Sequence, residues 1–304
     1  MKYQLKVFSI SELGKRNNQE DCIYPQGGES GNLYILCDGM GGHEKGEVAS
    51  ATVCDAMSRF ISESYSGGVF SENDFNEVLD AAYNALDTKD GEESHKMGTT
   101  LTFLLFHEGG CFMAHIGDSR IYHIRPSEYG ADRILHVTRD HSLVNDLIAI
   151  GELTPEEAKT SKQRNIITKA LQPHSNRYKA DVFNVTDIRP GDYFYMCSDG
   201  MVENMDDMEI ADILSTEEHT DEMKVSILRE ITEDNRDNHS AHLINVVNVE
   251  YDNMTEAPAP KSRMCFKKYI ILVVLFFLAA SFVIDKLFPE LFSGLYNIFF
   301  KGIE

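Results

Sequence analysis

Apolar residues recur along this chain in two rhythms. Short runs rich in β-branched and aromatic residues predict strands at 3–10, 32–37, 101–106, 111–116, 120–125, 133–137, 179–185, 192–197 and 243–249. Longer stretches with apolar positions three and four apart predict helices at 46–65, 71–87, 142–150, 155–160, 208–214 and 220–233. The helices are grouped between sets of strands and do not alternate with them one for one. That grouping predicts an α+β layered domain over a doubly wound sheet.

Three of the strand-like runs end alike. The run closing at Cys37 is followed by Asp38-Gly39, the run closing at Ile116 by Gly117-Asp118, and the run closing at Cys197 by Ser198-Asp199-Gly200. A buried strand that stops at an aspartate holds the carboxylate rigidly, and the neighbouring glycine lets backbone and ligand approach. Several such ends meeting at one place would chelate hard, oxygen-seeking cations. Around Asp38 the glycines Gly39, Gly41 and Gly42 leave the backbone bare, so that a carbonyl can also act as a ligand. Taken singly, Arg16-Asn17-Asn18-Gln19-Glu20-Asp21 and Arg236-Asp237-Asn238-His239-Ser240 also read as solvated loops, and Gly117-Asp118-Ser119-Arg120 as a hairpin turn.

Charge narrows the partners. The 304 residues carry a formal charge of -21, with 22 basic against 45 acidic groups in 1–252 and 6 against 4 in 253–304. Such a field repels phosphate backbones and excludes nucleic acid, yet admits a phosphorylated protein where bound cations reverse the local sign. The six cysteines form no C-x-x-C pair and the chain starts on polar Met1-Lys2-Tyr3-Gln4, which predicts reduced thiols and a cytosolic main domain. No H-E-x-x-H motif supports a zinc hydrolase, and His43 and His141 read as structural hydrogen-bonders.

The tail changes the picture again. Residues 270–284 are apolar except for Ser281, roughly 22 Å of helix at ~1.5 Å per residue. With flanking Tyr269, Leu287 and Phe288 this approaches the ~20 residues of a membrane span. The expectation is a linker with a basic juxtamembrane cluster at 253–268, a transmembrane helix at 269–288 and an amphipathic interfacial tail at 289–304. A buried core helix, a hydrophobic hairpin or a segment dipping into one leaflet fits the same run. Lys261, Arg263, Lys267 and Lys268 precede it, so the positive-inside rule keeps the main domain in the cytoplasm, membrane-anchored.

The acidic elements occur in one order with Gly98-Thr99-Thr100, Thr138-Arg139-Asp140-His141-Ser142, Asn165-Ile166-Ile167-Thr168-Lys169-Ala170-Leu171 and Gly191-Asp192. Together they resemble the metal-dependent PPM-type, protein phosphatase 2C-like serine/threonine phosphatases of bacterial type over roughly residues 5–250. The resemblance implies a four-layer α-β-β-α sandwich of two antiparallel sheets flanked by helices, spanning 1–252. It also implies magnesium or manganese, two ions tightly bound and a weaker third. Asp38 would bridge two ions, the Gly39 carbonyl would help bind one, and Asp199 and Asp237 would complete the other. Glu20 and Asp21 would act through waters, Asp118 would serve the third ion, and Arg16 would grip the substrate phosphate.

The implied reaction is hydrolysis of phosphoserine or phosphothreonine on proteins by a water activated between the cations, opposing a serine/threonine kinase. A catalytically weak phosphoprotein-binding module and a hydrolase of small phosphate esters are the rivals on the same scaffold. Two positions depart from the family pattern. Met40 stands where animal members carry a histidine, and Gln172 where a glycine is usual. Residues 143–162, with Thr154-Pro155-Glu156-Glu157 as a helix start, correspond to the family's flap.

Overall fold

The computed structural model describes residues 1–28, 31–40, 45–90 and 97–251, within a unit bounded by Met1–Thr255. In chain order the strands are β1 (Lys2–Glu12), β2 (Asp21–Tyr24), β3 (Leu33–Met40), β4 (Gly98–Thr99), β5 (Leu101–His107), β6 (Gly110–Ile116), β7 (Arg120–Ile124), β8 (Ile134–Val137), β9 (Asp181–Val185), β10 (Tyr193–Cys197) and β11 (His239–Glu250). The helices are α1 (Lys45–Ser64), α2 (Glu72–Asp90), α3 (Leu143–Ala149), α4 (Pro155–Thr160), α5 (Asp207–Ser215) and α6 (Asp221–Thr232).

The strands form two antiparallel sheets. One has the order β1-β11-β10-β7-β8. The other runs β2-β3-β5-β6-β9, with β4 paired to the end of β3. α1 and α2 cover the second sheet through Val53, Met57, Phe75 and Leu86, while α5 and α6 cover the first through Ile210, Leu214 and Leu228. The result is the four-layer sandwich expected from the family resemblance.

Alternation along the strands builds the layers. On β3, Leu33, Ile35 and Cys37 enter the core under α1 and α2, whereas Tyr34 and Leu36 enter the core between the sheets. β10 does the same, with Tyr193, Tyr195 and Cys197 under α5 and α6 and Phe194 and Met196 between the sheets. Both faces of a central strand are therefore buried, which is why these strands read as unbroken apolar runs without polar alternation. Each large side chain so buried contributes about 1.5–3 kcal/mol, enough to hold the strand ends rigid.

Most predicted elements lie within a residue or two of the observed ones, and two strands were not predicted. β2 has only four residues, stops at Pro25 and offers the single buried aliphatic Ile23; β4 has two residues. Neither is long enough to show a period. In the flap, Thr154 caps α4 by accepting from Glu157 N–H, and the Glu157 carboxylate returns a bond to Thr154 N–H. The Gly191-Asp192 block has a structural reason. Buried Asp192 accepts from Arg125 Nε and Nη2 (both 2.7 Å), faces His123 Nε2 (3.0 Å) and accepts from Arg189 N–H (2.9 Å). No helix among the described residues is long and apolar enough to cross a membrane. The segments expected at 253–268, 269–288 and 289–304 lie outside the described residues, as do Gly41, Gly42 and His43.

Candidate active site

The first two acids meet across a strand pair. β2 runs antiparallel to β3 with Asp21 opposite Asp38. Ile23 and Leu36 face the inter-sheet core, so Asp21 and Asp38, two residues along each strand, share that face at its edge. From the opposite sheet, Ser198 at the end of β10 donates from Oγ to Asp21 Oδ2 (2.9 Å) and joins the ends of the two sheets. Asp199 begins a short 3-10 turn, Asp199–Val202, and its carboxyl hydrogen-bonds that of Asp38.

Asp237 lies in the loop entering β11. Its Oδ1 accepts from Asn238 N–H (2.9 Å) and its Oδ2 from Arg16 Nη2 (2.6 Å). Asp118 occupies the turn from β6 to β7, where the chain crosses between sheets. Glu20 contributes backbone as well as carboxylate. Its carbonyl accepts from Gly39 N–H (3.0 Å) and Ser50 Oγ (2.6 Å), and its N–H donates to Asn238 Oδ1 (2.8 Å). Thus Arg16, Glu20, Asp21, Asp38, Gly39, Asp118, Asp199 and Asp237 come from both sheets to one end of the sandwich.

The glycines admit close backbone, as their place at the strand ends predicts. A Cβ on Gly39 would stand 2.2 Å from the Gly46 carbonyl oxygen and 2.6 Å from that of Glu20; on Gly200 it would stand 2.0 Å from the Asn238 carbonyl oxygen. The missing side chains admit neighbouring backbone, and it is that backbone which fixes the aspartates. Supporting polar residues that sequence reading passed over complete the frame. Thr100 Oγ1 accepts from Asp38 N–H (2.9 Å), its own N–H donates to the Asp38 carbonyl (2.9 Å), and its hydroxyl meets Ser119 Oγ (2.8 Å). Asn235 Nδ2 donates to the Gly200 carbonyl (2.6 Å). Thr100 and Ser119 sit inside the motif blocks and Asn235 directly precedes one; their non-local partners are visible only in the fold.

Electrostatically the cluster is under load. Lost hydration, then the charges of Asp21, Asp199, Asp118 and Asp237, hold Asp38 well above the usual carboxylate range. Burial pushes Asp21 up to about 7 against the help of Ser240 and Ser198, and burial with the Asp199 charge pushes Asp118 up to about 7. Asp199 is raised by burial and Asp237, and Glu20 by burial. Asp21 Oδ1 and Asp118 Oδ1 are buried with no hydrogen-bond partner. Crowded carboxylates with orphaned oxygens, joined by a bare glycine peptide, form an all-oxygen donor set that fits magnesium or manganese.

A family model described as Protein phosphatase 2C matches residues 13–246, more than half of the chain. The chain belongs to the protein phosphatase 2C family. Protein phosphatase PhpP of Streptococcus pneumoniae is 33% identical over 217 residues, 70% of this chain and 85% of that protein. Serine/threonine protein phosphatase PstP of Mycobacterium tuberculosis is 33% identical over 203 residues, 67% of this chain and 37% of that protein. The crystal structure of the Mycobacterium tuberculosis phosphatase PstP/Ppp superposes with a TM-score of 0.68 at 30% identity, covering 80% of this chain and 99% of that one. The catalytic domain of PstP in complex with two manganese ions gives a TM-score of 0.65 at 30% identity over 80% and 99% of the two chains.

The two departures from the family pattern are local. Met40 ends β3 opposite Gly98, and its thioether has no proton to give. Gln172 packs against Gly98, where a Cβ would stand 2.9 Å from its Cγ, so the substitution stays in the turn after the Thr99–Leu171 bridge. Clefts of about 450 and 260 Å³ open elsewhere, the smaller beside Arg120 and Asp140, and neither is lined by an acid of the cluster.

The raised carboxyls set a sign for pH. An unfolded aspartate titrates near pH 3.9, so between about pH 4 and 7 the folded cluster holds more protons than the unfolded chain. Its contribution to stability is full below pH 4 and is lost as pH rises through 7. Buried His107, His115, His141 and His242 and half-buried His136 are shifted down and slope the other way, but they are common to wild type and variant. In metal-free protein, Asp38→Asn is expected to melt above wild type by a gap that widens from pH 5 to pH 8, by up to about 1.4 kcal/mol per pH unit. Thermal melts at stepped pH in chelator test this, and a gap that stays flat or closes contradicts it.

Proposed function

We propose that this chain hydrolyses phosphoserine and phosphothreonine on proteins with two tightly bound magnesium or manganese ions, a weaker third, and no covalent intermediate. The observation that carries the reading is the convergence of Asp21, Asp38, Asp118, Asp199 and Asp237 from both sheets, with two buried carboxylate oxygens left unpartnered. Asp38 would be shared by the two tight ions, with the Gly39 carbonyl serving one and Asp199 and Asp237 the other. Glu20 and Asp21 would hold waters, and Asp118 the third ion. Bound there, the cations supply Lewis-acid polarisation of the phosphoryl oxygens and a water of lowered pKa.

The chain's own groups do the rest. Arg16 is exposed and paired to Asp237 at 2.6 Å, so its guanidinium already stands at the cluster's edge, where its planar fork suits two phosphate oxygens. Met40 offers no acid, so the departing alkoxide takes its proton from solvent. Among the described residues no thiol competes as a nucleophile. Cys22, Cys37 and Cys54 pack together at the core beside β3 and α1; contact with Cys54 and burial raise Cys22, while Cys54, lowered by its contact with Cys22, is raised on balance by Cys37 and burial.

The apolar stretch at 269–288, its basic approach and the neutral residues after it support a second part of the reading. The tail would anchor a cytoplasmic catalytic domain at the membrane and raise its effective concentration toward membrane-bound phosphoproteins, a serine/threonine kinase among them.

Manganese-dependent turnover of a phosphothreonine peptide is expected to fall by more than about 100-fold in Asp38→Asn and in Asp199→Asn. The wild type is expected to prefer that peptide to sugar and nucleotide phosphates. Peptide binding without turnover would favour the binding-module reading, and the reverse preference the small-ester reading. Truncation after Thr255 is expected to move the protein from the membrane fraction to the soluble fraction of lysed cells; an unchanged distribution removes the anchor.

A further inference from the structure

Away from the acidic cluster, the described residues contain one group able to surround a cation. His115, His141 and Asp181 place ligand atoms within 4.8 Å of one another, and both ring nitrogens of His115 and Nε2 of His141 are buried without a hydrogen-bond partner. Two geometric facts speak against chelation. The imidazoles are stacked, with centroids 4.6 Å apart and planes 6° apart, so their in-plane lone pairs run side by side and do not converge. In addition, His141 Nδ1 accepts from Gly117 N–H (3.1 Å). In the neutral ring the proton then sits on Nε2, which makes no hydrogen bond and lies 3.4 Å from Asp181 Oδ2. A cation on Nε2 would move that proton to Nδ1, against the Gly117 donor.

What the arrangement does is hold a turn. His141 bonds Gly117 twice, through its ring and through its own N–H to the Gly117 carbonyl (2.9 Å). Gly117 has φ +109, and a Cβ there would stand 2.6 Å from Thr100 Cγ2. The turn is thus pressed on one side by Thr100 and clamped on the other by His141. The next residue is Asp118, whose Oδ1 is buried without a partner and whose neighbours in charge are Asp38, Asp140 and Asp199. Repulsion from those acids pushes Asp118 outward, and a hydrogen bond to its own backbone and the charge of Arg120 offset it only in part, leaving Oδ1 without a partner. His115 backs the clamp by stacking, Asp181 stands across from Nε2, Lys169 Nζ lies 3.7 Å from Asp181, and Thr168 N–H donates to the His141 carbonyl (2.8 Å).

We infer that His141 is a positioning residue for Asp118, its Nδ1 serving as the acceptor that sets the Gly117-Asp118 turn and so the affinity of the weakest cation site. The inference rests on the reading of Asp118 as a ligand of that third ion. Outer partners of this kind typically change metal affinity by about 10–100-fold.

Asparagine and glutamine at position 141 separate the two ring atoms, because Asn places its amide oxygen near the Nδ1 position and Gln carries its amide beyond it toward Nε2. Manganese binding by the full-length protein is followed by calorimetry for wild type, Asp118→Asn, His141→Asn, His141→Gln and the Asp118→Asn/His141→Gln pair. Thermal melts confirm folding. His141→Gln is expected to weaken, about 10-fold or more, the same ion that Asp118→Asn weakens; His141→Asn is expected to bind as wild type, and the double variant no worse than Asp118→Asn. Gln behaving as wild type, Asn as weak as Gln, or equal weakening of every ion overturns the clamp. If Asp118→Asn itself alters no ion, the ligand reading has failed and takes the clamp with it, a result distinct from failure of His141 alone. Nitrogen-15 spectra of the wild type add a readout independent of variants: Nε2 protonated with Nδ1 bare is expected, and a proton on Nδ1 overturns the inference.

Discussion

Carboxylates crowded into one place repel one another, and the few side-chain bonds within the cluster, Asp199 to Asp38 and Arg16 to Asp237 among them, do not by themselves hold Asp21, Asp38, Asp118, Asp199 and Asp237 together. What keeps them is backbone packed too closely to relax. Gly39 lies against the carbonyls of Gly46 and Glu20, Gly200 against that of Asn238, and Gly117 against Thr100. Two hydrophobic cores behind these glycines anchor the strands they terminate, so repulsion at the edge is opposed by burial in the interior. The site is a strained charge distribution held in place before any cation arrives, and the binding of cations is what relieves it.

This constraint links fold and chemistry. Asp21 and Asp38 belong to one sheet, Asp199 and Asp237 to the end of the other, and the Ser198 to Asp21 hydrogen bond spans the gap. The cluster therefore exists only when the two sheets are packed, which makes metal affinity a report on the inter-sheet core built from Tyr34, Leu36, Phe106 and Phe194. It also explains why hydrolysis on this scaffold needs no side-chain nucleophile: the residues that meet here are suited to holding cations and orienting a phosphate, and the described thiols are buried in the core or, for Cys22, packed at its margin.

Much of this was legible in the sequence because it rests on local pattern. Strands buried on both faces appear as apolar runs, and a run that stops at Asp-Gly or Gly-Asp marks the sheet edge where the acids gather. β2 escaped because four residues ending at a proline carry no period, although it brings Asp21 opposite Asp38. The glycines' need for close backbone approach was legible, but not which carbonyls approach, because Gly46, Glu20 and Asn238 reach them only through the fold. The pairing of His115 with His141 was likewise hidden, as the two lie on separate segments and meet only through the fold.

The most direct test of a pre-formed, proton-sharing acidic cluster is the number of protons released when manganese binds. Calorimetric titration at pH 6.5 in buffers of differing ionisation enthalpy gives that number. Asp21 and Asp118, held up to about 7, and Asp38, held well above the usual carboxylate range, predict release of at least about one proton per molecule as the ions bind, shrinking as the pH is raised toward 9. Binding without proton release at pH 6.5 would mean that the acids are already ionised and apart, and would contradict the account.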